Sequence, residues 1–386
     1  MRIVFVTSTP PIPSWGGAMA FYRHFCERDD FQISVITDNP QILSYEVPYP
    51  FILINHGHLW KRLCRTRFNE FAHSWSHLVG TWHLPDQVVQ QAKDFDPEAV
   101  LTVAGSWSWT AKMAKDLAHQ LEIPLVGSFN DWWSYNLIRY PWLDPVLENN
   151  FKQFYQQCDL ALCTSEGMRE ALGKHPNAII LYPTGAAIQP QSSTSDTVPG
   201  ERPFTLAFAG NLGDWYGRML ETLFRQAGDS NIAFKFFGSN PSWSSEFHSE
   251  VTSTGIYQGQ VSFDQLRQEM QQVDALLLLM GFEESCAQIE RTSFKTKFLD
   301  YLSFQKPILL WGPDYCSAVR IAKEFDSAEI CTSPLAIDFL SSIVKVQSSI
   351  ERQNQLVTNA HRMYEERFHP DKIHQLLVTE MQKIVL

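Results

Sequence analysis

The sequence is poor in charge, in cysteine motifs and in long apolar runs, and each shortage removes a class of protein. Charged residues are 19% of the 386 positions and the formal net charge is -11, so no general attraction to a polyanion exists and nucleic acid is not an expected partner. The seven cysteines, at 26, 64, 158, 163, 286, 316 and 331, are odd in number and scattered, with no CxxC, which is the usage of a reduced, cytoplasmic protein. The longest apolar run, Ala275 to Met280, is far too short to span a bilayer. Met-Arg-Ile-Val-Phe-Val reads as a core strand from its second residue, with Pro10-Pro11 close behind, so no signal peptide is expected. HExxH, the ordered GxGxxG fingerprint and any repeat of solenoid period are also missing. With 44% hydrophobic residues, the chain is long enough for two domains, each with its own core.

Short β-prone runs alternate with amphipathic helical stretches, and this pattern predicts an α/β protein with two doubly wound sheets. Arg2 to Thr7 empties into a Pro-rich loop ending Trp15-Gly16-Gly17, then a helix from Ala18 to Cys26. Strand, glycine-bearing loop, helix is how a Rossmann-like half begins, and Gly16 and Gly17 let a ligand touch backbone there. Further strands are expected at 32–37, 50–54, 98–104, 123–128 and 178–181, with helices at 108–120 and from Val146. The strand at 123–128 runs into Phe129-Asn130-Asp131-Trp132-Trp133, which places Asn130 and Asp131 at the ligand side of an open sheet, with Asp131 a candidate base or orienting group. Residues 189–202, within the Ser/Thr/Pro/Gly-rich stretch 189–203, read as an exposed linker between domains 1–188 and 203–368. After it come a strand at 204–209, the loop Gly210-Asn211-Leu212-Gly213-Asp214-Trp215-Tyr216-Gly217-Arg218 and a helix from Met219. Strands at 233–237, 256–258, 274–280, 307–311 and 328–331 follow, then one long helix at 343–364 and a last one from Asp371.

The segment Cys286 to Pro313 carries the most chemistry. Thr292 and Ser293 are good caps, Phe298 and Leu302 an i,i+4 apolar pair, so a helix is expected to begin near Ser293 and to end before Lys306-Pro307. Lys295 and Lys297 in its first turns oppose the helix dipole, which implies an anion nearby; a diphosphate suits the place, with Asp300 one turn on for sugar hydroxyls. The plain alternative is a solvated helix start. Residues 59–68 put Lys61, Arg62, Arg65 and Arg67 beside Leu59, Trp60, Leu63 and Phe68, a pattern for contact with anionic lipid or a lid helix, or for an ordinary docked helix. Glu70, His73 and His77 share that region without a metal-site pattern, and no metal is expected.

In order along the chain, these motifs make it resemble the GT-B-fold glycosyltransferases, in particular the retaining glycosyltransferase family 4 group. The likeness rests on Trp15-Gly16-Gly17, on Cys158 to Gly167, similar to that group's "AD-apolar-S" segment, and on Pro183-Thr184-Gly185, similar to its "PNG". In the second half it rests on Phe208 to Gly213, Phe237-Gly238 and Ser293 to Leu302 with Lys306-Pro307. It implies two Rossmann-like domains facing a central cleft, with a C-terminal helix at about 369–386 crossing back to the first. It also implies a nucleotide-diphosphate sugar as co-substrate, held mainly by the second domain, with no cofactor. The family's E-x7-E motif falls on Thr292 and Asp300, since residues 293–299 separate them, so a threonine stands where the first glutamate meets the sugar. Asp300 would bind ribose, Arg218 with Lys295 or Lys297 would neutralise the diphosphate, and Gly210, Asn211 and Ser293 would line the donor. Asn130-Asp131 lies where family members often carry a histidine.

The activity implied is transfer of a glycosyl group, with retention, to a hydroxyl of a carbohydrate, lipid-linked or small-molecule acceptor; beside it, cysteine usage suggests a cytoplasmic protein and the pattern at 59–68 peripheral membrane contact as one of its readings. Rival readings are a nucleotide-sugar epimerase or an inverting transferase using Asp131, a non-catalytic sugar-nucleotide-binding or scaffold protein, and, last, a solute-binding protein.

Overall fold

A computed structural model describes residues 1–14, 16–56, 62–63, 65–69, 71–72, 74, 84–105, 108–132, 141–188, 202–228 and 230–385. Trp15, Leu59, Trp60, Lys61, Glu70, His73, His77, Trp133 and all but the last residue of the 189–202 linker lie outside these. The chain divides into two compact units: Met1–Thr184 with Arg291–Phe294 and Asp371–Leu386, and Gly185–Glu290 with Lys295–Pro370.

The first unit is built on seven parallel strands, β1 (Arg2–Val6), β2 (Gln32–Thr37), β3 (Phe51–Leu53), β4 (Ala99–Ala104), β5 (Leu125–Phe129), β6 (Leu160–Cys163) and β7 (Ala178–Ile180). Their order is β3-β2-β1-β4-β5-β6-β7, so the winding reverses between β1 and β4, and the loops leaving these two strands open at the reversal. Both faces are covered, which is why β1, β4, β5 and β6 read as near-continuous apolar runs. Helix α1 (Gly17–Phe25) lays Phe21 and Phe25 on Phe5 of β1, with ring centroids 5.1 and 5.6 Å away. Leu377 and Met381, near the chain's end, complete the same core beside Ile3, Phe5 and Ile33.

The second unit has five parallel strands, β8 (Phe204–Ala209), β9 (Ile232–Phe237), β10 (Ala275–Leu279), β11 (Ile308–Trp311) and β12 (Glu329–Cys331), ordered β12-β11-β10-β8-β9. Its helices include α2 (Asp214–Ala227), α3 (Ala287–Thr292), α4 (Thr296–Leu302), α5 (Ala336–Gln347) and α6 (Ile350–Met363); α7 (Pro370–Val385) follows. The last two residues of α3 and nearly all of α7 count with the first unit.

Four expectations need correction. The strand at 256–258 is only a bridge, Phe236 to Tyr257, because Gly255 and Gly259 on either side take φ of +71° and +68° and turn the chain away. The helix expected from Met219 starts at Asp214, with Gly213 as its N-cap. The single helix at 343–364 is two, since the Ser349 hydroxyl caps α6 by accepting from Arg352 N–H. The helix near Ser293 is also two: α3 ends at Thr292 and α4 starts at Thr296, so Ser293 caps neither.

Candidate functional site

In the first unit the loop after β1 reaches α1 through Gly16, whose φ of +64° is a left-handed conformation that favours glycine, and no side chain caps the helix there. Among the described residues, a side chain at Gly17 would meet only Thr9 Cγ2, at 3.8 Å. At the end of β5, Ser128 Oγ donates to Asn130 Oδ1 at 3.2 Å, and Asp131 is exposed with Oδ1 accepting from Ser293 Oγ at 2.8 Å. Thr292 is fully buried, and its carbonyl accepts from Ser165 Oγ at 2.5 Å. Ser165 Oγ also accepts from Met168 N–H, so one hydroxyl caps a helix and fixes Thr292. Thus Asp131 and Ser293 come together, while the Thr292 carbonyl is held by Ser165.

The sequence reading missed a second polar pair on this sheet. His56 Nε2 lies 2.9 Å from Asp38 Oδ2, just beyond β3 and β2, and Trp109 packs edge-on against the imidazole. Their only sequence signal is a polar residue following an apolar strand.

In the second unit β8 is followed by Gly210, whose φ is +138°, and Gly238 at +144° presses against it so closely that a Cβ on Gly238 would lie 1.8 Å from the Gly210 carbonyl oxygen. Asn211 Oδ1 accepts from Gly213 N–H at 3.1 Å and folds the loop, and α2 opens at Gly213 with no side-chain cap. Lys297 reaches the same place, its Nζ 2.8 Å from where a Gly210 Cβ would be, 3.9 Å from the Phe208 ring centroid and 4.5 Å from that of Tyr216. Part of the residue is exposed, but Nζ is shut off from solvent and, among the described residues, has no hydrogen-bond partner.

Lys295, two residues earlier, is settled differently. Its Nζ lies 2.9 Å from Oε2 of Glu290, a carboxylate with no exposure, whose Oε1 accepts from Gly281 N–H at 3.0 Å. Burial alone would lower Lys295, but Tyr216 and Glu290 hold it charged, well above an ordinary lysine. Burial, then Lys295, lower Lys297 to about 7, with Glu290 opposing. Glu290 is the acidic residue that motif spacing passed over in favour of Thr292.

Arg218 Nη2 donates to Glu283 Oε1 at 2.7 Å in a half-exposed pair. Asp300 Oδ1 accepts from Ala186 N–H at 3.2 Å, and Gly185 passes so close to Leu299 that a Cβ would lie 2.6 Å from Leu299 Cβ. Among the described residues no group of three or more His, Cys, Asp or Glu could hold a metal ion, and no helix is long and apolar enough to cross a membrane.

No protein-family model and no curated protein matches the sequence. Solved structures do match, over nearly the whole chain. HepE from Anabaena, solved in complex with UDP, is 13% identical with a TM-score of 0.69, covering 99% of this chain and 100% of its own. The fold is GT-B. A glycosyltransferase from Rickettsia africae also shares the GT-B architecture, at 12% identity and TM-score 0.67 over 100% of this chain and 98% of that one. Sucrose-phosphate synthase from Thermosynechococcus elongatus matches at 12% and 0.67 over 99% and 98%. The GT-B expectation from the motif order is met at the level of fold.

Proposed function

We propose that the chain is a glycosyltransferase that moves a sugar from a nucleotide-diphosphate donor to a hydroxyl acceptor. The observation that carries the reading is Lys297: a lysine head buried without a partner beneath a glycine loop at the mouth of α2. A strand, glycine turn and helix start favour phosphate through backbone N–H groups and the helix dipole, and a lysine adds the positive charge that a departing diphosphate requires. Gly210, Asn211 and Lys297 form this donor site. Arg218 and Asp300, in the same unit, are assigned to it from the resemblance, and Lys295 supports it through Glu290. The fold shared with HepE, which was solved with UDP, is consistent with such a donor.

Retention is the stereochemical outcome proposed, with the leaving phosphate helping to deprotonate the acceptor. Asp131, already accepting from Ser293, is better placed to orient than to act as a strong base. No metal is required, because lysine and backbone N–H groups carry the charge stabilisation. Peripheral contact with anionic membrane through 59–68 belongs to the same reading. Phe68 and Phe71 are 49% and 51% exposed beside exposed Arg62, Arg65 and Arg67. The test is turnover with UDP-, GDP- and ADP-sugars and simple hydroxyl acceptors, with EDTA present, reading the product anomer by NMR. A retained anomer supports the proposal. An inverted one overturns the mechanism, and donor binding without turnover on any acceptor favours a non-catalytic binding protein.

A further inference from the structure

Lys297 has a place but, among the described residues, no counter-charge of its own. A lysine ammonium carries three donors and no acceptor, and a charged head kept from solvent without partners is costly enough that it tends to shed its proton. The groups around it do not relieve this. Glu290, the carboxylate acting on it, already has Oε1 bonded to Gly281 N–H and Oε2 paired with Lys295. Lys295 itself repels a second positive charge. Tyr216 from α2 is kept protonated by burial and bonded to Lys295, with Asp214 acting on it from the helix start. The Tyr301 hydroxyl is tied to the backbone of Ala209, and the thiols of Cys286 and Cys316 near Glu290 are held protonated by burial. Among the described residues, what remains beside Nζ is two aromatic rings and the backbone of Gly210.

The geometry points to a donor site that is charged by its own ligand: seating a diphosphate at the Gly210 loop turns Lys297 from amine to ammonium, with one proton taken from solvent. This rests on the reading of that loop as the donor site. No covalent bond to the donor forms or breaks in the step; Nζ gains a proton from the buffer and the diphosphate oxygens accept its hydrogen bonds. The empty site is spared an unpaired buried charge, while the filled one gains a charge-assisted hydrogen bond. An uncharged sugar supplies no such counter-charge, so the linkage is specific to the phosphate part of the donor. The depressed pKa of Lys297, about 7, agrees with this arrangement.

The experiment is isothermal titration with UDP-glucose, GDP-mannose and ADP-glucose in two buffers of different ionisation enthalpy. These donors carry a diphosphate esterified at both ends, with no group titrating near neutrality, whereas a terminal phosphate titrates near pH 6. Protons counted therefore belong to the protein. The expected uptake approaches one proton at pH 8, falls toward zero at pH 6 and disappears in Lys297→Met. Binding with equal heats in both buffers at pH 8 overturns the inference and leaves the donor site standing; no binding by any of the three overturns both.

A second measurement needs no ligand. A lysine whose pKa is lowered on folding binds fewer protons folded than unfolded between about pH 7 and 10.5, so wild-type stability rises with pH across that window relative to Lys297→Met. A difference between the two proteins that stays constant over this range places a full charge on Lys297 in the empty site and contradicts the inference.

Discussion

His24 and His374, 350 residues apart in the chain, stack in the first unit with their Nδ1 atoms 3.3 Å apart. One nitrogen must donate and the other accept, so the pair holds a single shared proton between the rings. The chain of contacts extends at both ends: His24 Nε2 lies 2.7 Å from Thr184 Oγ1, and His374 Nε2 lies 2.9 Å from Asp30 Oδ2. Arg23 donates to the Thr184 carbonyl and Arg28 pairs with Asp371. Burial, then His374 and the two arginines, lower His24 to about 3, and burial is also the chief cause lowering His374.

A histidine held neutral in the folded state binds fewer protons than its unfolded counterpart between about pH 3 and 6.5. Stability is therefore expected to fall as pH drops below 6.5, by up to about 1.4 kcal/mol per pH unit for one group. Denaturant melts at pH 7, 6, 5 and 4 check this. His24→Gln should show a flatter slope than wild type; an identical slope would remove His24 as its source.

Glu290 neutralises Lys295 at no exposure and also accepts from Gly281. Glu290→Gln keeps an acceptor for Gly281 but leaves Lys295 without a counter-charge, and a loss of about 3 kcal/mol is expected. Urea unfolding of the variant reads it directly. A loss under about 1 kcal/mol would mean that solvent reaches the pair.

Gly238 approaches the Gly210 carbonyl too closely for any side chain and holds φ at +144°. Gly238→Ala should force the Gly210 loop out of place, abolishing donor stabilisation and costing about 2 kcal/mol or more. Gly173→Ala, also at positive φ but with open space around it, serves as the control for backbone strain alone.

The membrane reading predicts salt-sensitive binding to vesicles containing anionic lipid, weakened at least tenfold when Arg62, Arg65 and Arg67 become Gln. Binding equal on neutral and anionic vesicles, or none, would end it.

Much of the fold was legible because strands buried on both faces read as apolar runs. Phe204–Ala209 and Gln32–Thr37 begin and end where the sequence reading puts them. The helix at Ser293 was not legible, because Thr292 and Ser293 resemble caps in any local window. Their polar groups are committed instead to Ser165 and Asp131, more than a hundred residues away. The same limit hid the difference between Lys295 and Lys297. Both are lysines near a helix start, and only packing decides that one meets Glu290 while the other meets the rings of Phe208 and Tyr216.

The most direct measurement is thermal stabilisation of wild type and Lys297→Met against UDP, GDP, ADP and their sugars, with and without EDTA. The account predicts that one nucleotide family raises the wild-type melting temperature by about 2–5 °C at ligand well above its dissociation constant, that EDTA leaves this unchanged, and that Lys297→Met loses most of it. A panel without any shift, or an equal shift in the variant, would contradict a nucleotide-sugar site built on Lys297.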